Sequence, residues 1–420
     1  MIYVKNLKVT VTLYVMYLIL TGCYTPSQNA IYKTVEEARP AINPEIVIYN
    51  YSADSSIAFI KLYNNELLYR NDSASMMANV RINLFILQTI TAKQFTDSTS
   101  LTFSMEKSND ENSYLVARMF FKKPMLDHFV YKFEMLDLNR TSKSKKYIYC
   151  SDNSNQNTCS FLTILSGNSF PLFSTLITAS DSFHIYNNQL KNDSVYLRYF
   201  KRNYMLAAPP QVENAVVRLS YVADSTVHIL FNDTSLYNFS KKGIYHLQAD
   251  TLKKTGFTLF NFGDDYPTVT KPAQMTGPIR YLTTKNEYAK IVSAENTIDA
   301  IEQFWIERAG NKTLARKLIS AYYNRVEFAN KNYTSYTEGW KTDRGMISIV
   351  YGKPDYLEYQ DKQETWTYLN ANQGQAIDFV FTKINNPFTE NDFILIRSPR
   401  YEIPWFTAVD TWRHGIEYGK

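Results

Sequence analysis

Glycine is scarce in this 420-residue chain, with 13 residues, and proline is hardly commoner at 14. That excludes collagen-like and glycine-rich low-complexity architectures, and no glycine-rich phosphate loop is present. Tryptophan is missing from the first 304 residues: all five lie at Trp305, Trp340, Trp366, Trp405 and Trp412. The last part of the chain is therefore built differently from the rest. Histidine occurs five times, at His128, His184, His228, His246 and His414, too scattered for a zinc helix, and no G-x-S-x-G elbow exists. These absences leave no catalytic residue, metal site or cofactor to assign. The net charge is only +5 and no basic stripe appears, which argues against nucleic acid as a partner. Beyond the first 20 residues no apolar run approaches the roughly 20 residues of a spanning helix.

What is present begins with that first run. Lys5 and Lys8 precede an apolar stretch from Val9 to Leu20, which ends in Leu20-Thr21-Gly22-Cys23. The order basic, apolar, small, cysteine resembles the lipobox of bacterial lipoprotein signal peptides. The resemblance implies cleavage of residues 1–22, acylation of Cys23, and attachment to a membrane facing an extracytoplasmic space. No acidic run follows Cys23, so the inner leaflet of the outer membrane, facing the periplasm, is the expected location. Residues 23–43 read as a tether, with Val35–Arg39 as a short helical possibility.

Two further cysteines, Cys150 and Cys159, flank a polar loop. An extracytoplasmic chain plausibly pairs them, the alternative being two free thiols. No histidine lies near either, so a metal site is not expected.

Tyrosine (33) and phenylalanine (25) are abundant and favour strands. Alternating segments separated by polar turns predict one β-sandwich over 44–149 and a second over 159–264. Gly243-Ile244-Tyr245 has the position of a tyrosine corner, in which the hydroxyl bonds back to the backbone, so both modules are expected to be immunoglobulin-like. A proline-bearing linker is expected over 265–284. From 285 to 420 helical periodicity takes over at Thr297–Arg308 and Thr313–Ala329, followed by short strands and an aromatic tail. The fold class is therefore mixed and mainly β: two sandwiches, then an α+β domain of helices on a small antiparallel sheet, lifted off the membrane by the sandwiches.

Five triplets, Asp72-Ser73-Ala74, Asp97-Ser98-Thr99, Asp193-Ser194-Val195, Asp224-Ser225-Thr226 and Asp250-Thr251-Leu252, resemble an O-glycosylation acceptor of Bacteroidota envelope proteins. Ordinary Asp-Ser and Asp-Thr turn chemistry is the equal alternative.

The last module carries the most specific pattern. Gly339-Trp340-Lys341-Thr342-Asp343-Arg344-Gly345, with Gly352-Lys353-Pro354-Asp355 after it, resembles the motif that names the GWxTD-domain lipoproteins of Bacteroidota. Phe304-Trp305 and Tyr322–Asn330 are similar to that family's two helices, whereas Arg308-Ala309-Gly310-Asn311 departs from its Asp-Pro turn. A looser similarity, through Glu364-Thr365-Trp366 and Asp378-Phe379-Val380-Phe381, is to small outer-membrane assembly lipoproteins. That likeness implies binding to other proteins rather than turnover.

Read as residues, Thr342 or Asp343 is a helix cap, Trp340 a core ring, and Gly352 and Pro354 a turn. A contact patch of Trp340, Asp343, Arg344 and Asp355, or an acid/base pair of Glu338 and Asp343, is the functional alternative. Trp405 and Trp412, seven apart and so on one side of a tail helix, read as core packing or, if exposed, as the candidate partner anchors. The expected role is a non-catalytic binding or scaffolding subunit of an outer-membrane-associated complex, held by lipid and touching other envelope proteins. The alternative is an envelope hydrolase acting on glycan or peptidoglycan. The sequence leaves a small-molecule ligand open.

Overall fold

The computed structural model describes residues 34–37 and 42–419, apart from 73–74, 111, 127, 141–142, 152–157, 191–192, 202–204, 214–219, 361 and 370–375. Residues 1–22 and Cys23 lie outside the described residues. The fold is mixed and mainly β, with antiparallel sheets followed by helices.

The first described element, β1 (Thr34–Glu37), pairs antiparallel with a strand more than 300 positions away, β16 (Tyr356–Gln360). Residues 34–37, inside the expected tether and overlapping the possible helix Val35–Arg39, form an edge strand instead, and residues 23–33 and 38–41 lie outside the described residues. β16 would otherwise present a row of unsatisfied backbone groups, and that long-range demand outweighs the weak local helical preference of Val35-Glu36-Glu37.

Two sheets form the first sandwich. One has the order β2 (Glu45–Asn50), β3 (Ser55–Tyr63), β7 (Tyr114–Lys122). The other runs β4 (Arg70–Asp72), β5 (Ser75–Leu87), β8 (His128–Asp137), β9 (Lys143–Ser151), with β6 (Asp97–Glu106) on the far side of β5. Alternation decides which side chains go in: Ala78, Val80, Ile82 and Leu84 from β5 meet Phe129, Tyr131, Phe133 and Met135 from β8, and Ala58, Ile60 and Leu62 from β3 face them. Each such burial contributes about 1.5–3 kcal/mol for the larger side chains. Strand β9 is legible only in hindsight. Its lysines 143, 145 and 146 hide the apolar pattern, yet lysine is common on edge strands because it discourages edge-to-edge pairing.

The second sandwich sets β10 (Leu162–Leu165) and β11 (Phe183–Tyr186) against a four-stranded sheet. That sheet has the order β13 (Ser225–Leu230), β12 (Ser194–Phe200), β14 (Gly243–Gln248), β15 (Phe257–Asn261). Phe161, Phe183, Phe231, Tyr245, Phe257 and Leu259 fill it. The Tyr245 hydroxyl donates to Lys241 O at 2.8 Å and accepts from Lys241 N at 3.0 Å. This is the backward bond expected of a tyrosine corner, and burial pushes the phenol up to about 12.

Cys159 is disulfide-bonded and buried. The side chain of Cys150, its expected partner, lies outside the described residues. Of the five Asp-Ser/Thr triplets, Ser98, Ser194, Ser225 and Thr251 are exposed, while Ser73 lies outside the described residues. One shows the turn chemistry directly, with Leu252 N–H donating to Asp250 Oδ1, whereas Asp97 and Ser98 lie inside β6.

The C-terminal part contains α1 (Pro272–Thr276), α2 (Lys285–Val292), α3 (Thr297–Ala309), α4 (Lys312–Tyr333), α5 (Asp343–Tyr351) and α6 (Glu402–Arg413). They pack with the sheet β1-β16-β17 (Gln363–Leu369)-β18 (Ala376–Lys383)-β19 (Phe393–Leu395). The stretch 265–284 is not a bare linker. Ile279 and Leu282 are buried in the domain core, and Tyr322 and Tyr323 donate to Pro278 O and Met275 O. Its prolines suggested an open connection; the apolar residues between them decide the outcome. Gly310, in the left-handed conformation (φ 74°), ends α3, and Asn311 caps α4. The departure from an Asp-Pro turn is thus replaced by a glycine stop and an asparagine start.

Candidate functional site

The GWxTD segment lies where α4, the turn before α5 and the sheet meet. Its glycines come first, because they set the backbone approach. A Cβ on Gly339 would sit 2.1 Å from Ala329 O, and one on Gly345 would sit 1.9 Å from Gly339 O. Both positions need a residue without a side chain because backbones touch there. Thr342 then acts as the N-cap of α5: its Oγ1 accepts from Gly345 N–H at 3.0 Å and donates to Gly339 O at 2.8 Å. The cap residue is therefore Thr342 and not Asp343. The segment after this cap is a helix, and every residue of α5 is buried.

Trp340 is partly buried. Its backbone N–H donates to Asn330 Oδ1 at 3.1 Å, its carbonyl accepts from Tyr281 Oη at 2.9 Å, and its ring covers Gly277 so closely that a Cβ there would come within 2.4 Å. The motif tryptophan thus clamps the 265–284 stretch onto the domain.

The two charged motif residues point into separate ion pairs. Asp343 Oδ1 receives Arg397 Nη2 at 2.5 Å and Oδ2 receives Arg397 Nη1 at 3.0 Å, while Leu395 N–H donates to Oδ2 at 2.7 Å. Arg397 also donates to Ala208 O at 3.1 Å, which ties the 205–210 strap of the second sandwich to the motif. Arg344 spans both oxygens of Glu364 at 3.2 Å and donates to Asn391 O and Oδ1 at 2.9 and 2.5 Å. Its guanidinium lies over the Phe393 ring at 4.1 Å. The Arg397–Asp343 pair, with two nitrogens on two oxygens, is bidentate and fixes orientation as well as charge, whereas Arg344 reaches Glu364 through Nη1 alone.

The tail of the motif is equally spent on structure. Gly352, with φ 86°, ends α5, and its carbonyl accepts from Tyr368 Oη at 2.9 Å. Pro354 is buried. Asp355 Oδ2 accepts from Leu369 N–H at 2.8 Å and so closes the start of the β16–β17 hairpin. The Glu338 carboxylate is paired with Lys341 at 2.9 Å, so Glu338 and Asp343 each answer to their own cation.

Trp405 and Trp412 are core, at 4% and 0% exposure, and are not available as partner anchors. Trp412 Nε1 donates to Val350 O at 2.9 Å, and its ring stands edge-on to Trp305 and Tyr322. The tail helix joins the core of the domain through Trp405, Ala408, Val409 and Trp412. The seven-residue spacing did put both rings on one side, but that side faces inward. The exposed apolar residues of α6 are Ile403 and Phe406.

Sequence reasoning missed Arg397 and Asn391, the pairing of Glu364 with Arg344, and Tyr266, whose hydroxyl accepts from Gly339 N–H at 2.9 Å. Their partners sit up to 73 positions away, and a one-dimensional motif carries no signal for them. Among the described residues no group of three or more His, Cys, Asp or Glu converges as metal ligands. Among the same residues no helix is long and apolar enough to cross a membrane.

No curated relative matches the chain. Among solved structures, red sea bream transglutaminase shares 9% identity, with 53% of this chain and 31% of that chain covered, at a TM-score of 0.19. This chain spans less than a third of that protein, and so low a score carries no argument about fold or activity. The family comparison agrees with the geometry. The matched residues, 243–414, begin at β14 inside the second sandwich, whose Ile244 and Phe260 pack with Phe388 of the C-terminal part. The chain therefore carries a GWxTD domain.

Proposed function

We propose that this chain is a non-catalytic binding or scaffolding subunit of the bacterial cell envelope. We place it on the inner leaflet of the outer membrane, held through lipid on Cys23 and associated with other envelope proteins. The observation that carries the non-catalytic reading is the commitment of the motif's polar groups. Asp343 is taken by Arg397 and Arg344 by Glu364 and Asn391, so neither presents a reactive group to an open cleft. A hydrolase of the two-carboxylate kind needs acidic groups facing one another about 5–9.5 Å apart across a substrate-sized gap. The lipid-anchor reading rests on the Leu20-Thr21-Gly22-Cys23 sequence alone.

The test is crosslinking in intact cells, followed by recovery of the protein from detergent-solubilised membranes. Co-recovery of defined envelope proteins in near-constant proportion supports the reading. Recovery of the protein alone, together with release of soluble fragments from purified peptidoglycan, would replace it with the hydrolase.

A further inference from the structure

A cavity of about 260 Å³ opens in the crevice between the two sandwiches, away from the GWxTD motif. One wall is the β2–β3–β7 sheet, through Glu45, Lys61 and Tyr114. The other is the loop 165–174 that follows β10, through Asn168, Ser169 and Phe173. Junctions between modules are a common place for small-ligand pockets, and this one is slightly below the usual range of about 300–1,000 Å³. It has room for a single ring and little more.

The lining chemistry is specific. Lys61 Nζ pairs with Glu45 Oε2 at 3.1 Å, and the other oxygen, Oε1, accepts from Tyr63 Oη at 2.8 Å. Each carboxylate oxygen thus uses one acceptor position of about two. The ammonium is held against Tyr114, Tyr63 and Phe173, 4.5, 4.7 and 5.6 Å from the ring centroids. The wall is therefore charged but neutral in sum. An anion meets Glu45 and a cation meets Lys61, so neither gains. A pair of neighbouring hydroxyls gains from both, donating to the carboxylate and accepting from the ammonium. Tyr114 is 51% exposed and supplies an aromatic surface for the apolar C–H face of such a ligand. Asn168 and Ser169, exposed on the opposite loop, add an amide and a hydroxyl.

We propose that this crevice is a binding site for one neutral saccharide ring, a hexose or N-acetylhexosamine unit, stacked on Tyr114 and bridging the Glu45–Lys61 pair. The site is independent of the motif and of the proposed scaffolding role.

Saturation-transfer NMR on the full-length protein tests it, with glucose, galactose, mannose and N-acetylglucosamine as probes and glucuronate and glucosamine as charged counterparts. At least one neutral sugar is expected to bind with a millimolar Kd. Tyr114→Ala should weaken it at least about tenfold and Asn168→Ala severalfold, with both variants still folded by circular dichroism and Tyr114→Ala losing only the small stability of its contacts with Lys61 and Tyr63. Absence of transfer to all four neutral sugars overturns the proposal. So does binding that survives both substitutions, or tighter binding of a charged counterpart than of its neutral parent.

Discussion

Asp343 and Arg397, 54 positions apart, form a two-pronged ion pair with contacts of 2.5 and 3.0 Å at the heart of the GWxTD domain. The carboxylate is 9% exposed and the guanidinium 12%. Removing one partner strands the other in a poorly solvated place. Asp343→Ala is therefore expected to destabilise the domain by about 3–5 kcal/mol, far more than loss of a helix cap. Chemical denaturation with intrinsic tryptophan fluorescence reads this, since all five tryptophans lie in the C-terminal part.

The motif glycines make a second prediction. Gly339→Ala and Gly345→Ala each drive a methyl group into a backbone carbonyl oxygen, and neither contact is with a flexible side chain that can swing away. Each should cost at least the ~1–3 kcal/mol typical of overpacking. Gly310→Ala meets nothing within 4 Å, so its smaller penalty should come only from the left-handed backbone. Ranking the three by melting temperature checks the argument.

Glu287 gives the domain an acid-sensitive joint. It accepts from Arg413 at 2.8 and 3.1 Å and from Arg308 at 2.5 Å, and it completes the capping box of α2 with Thr284. Hydrogen bonding from Arg413, first among the causes, holds its carboxyl down at about 2. Its folded pKa is below its unfolded value, so its contribution is present above about 4.5 and is lost as pH falls toward 2. Glu287→Gln should flatten the decline in stability over that window, measured by urea unfolding at stepped pH.

Tyr245→Phe removes only the hydroxyl that bridges Lys241 N and O. The expected loss is about 1–3 kcal/mol, the cost of leaving a partly buried backbone pair unmet, without any change in the sandwich core.

The sequence makes elements with local causes legible. The alternation in β5, the helix from Asp343 to Tyr351 and the tyrosine corner all have their reasons within a few residues. What escapes is non-local. β1 exists because β16 needs an edge partner, and no feature of Thr-Val-Glu-Glu announces it. The 265–284 stretch looks like a linker until Tyr322, Tyr323 and Trp340 are seen to hold it. Of the candidate site, the motif residues and Glu364 were visible as patterns, but the pairing of Glu364 with Arg344 and the roles of Arg397 and Asn391 were not. Helical spacing put Trp405 and Trp412 on one face without telling whether that face met solvent or core.

The central claim is that the motif's charged residues build the domain and perform no chemistry. A double-mutant cycle on Asp343→Ala and Arg397→Ala, with unfolding free energy and envelope-protein co-recovery measured on every member, tests it most directly. The account predicts that each single substitution destabilises the domain strongly. It also predicts that the pair together costs markedly less than the sum, and that partner recovery falls only as folded protein is lost. Single substitutions that leave stability intact while abolishing partner recovery or an enzymatic activity would contradict it.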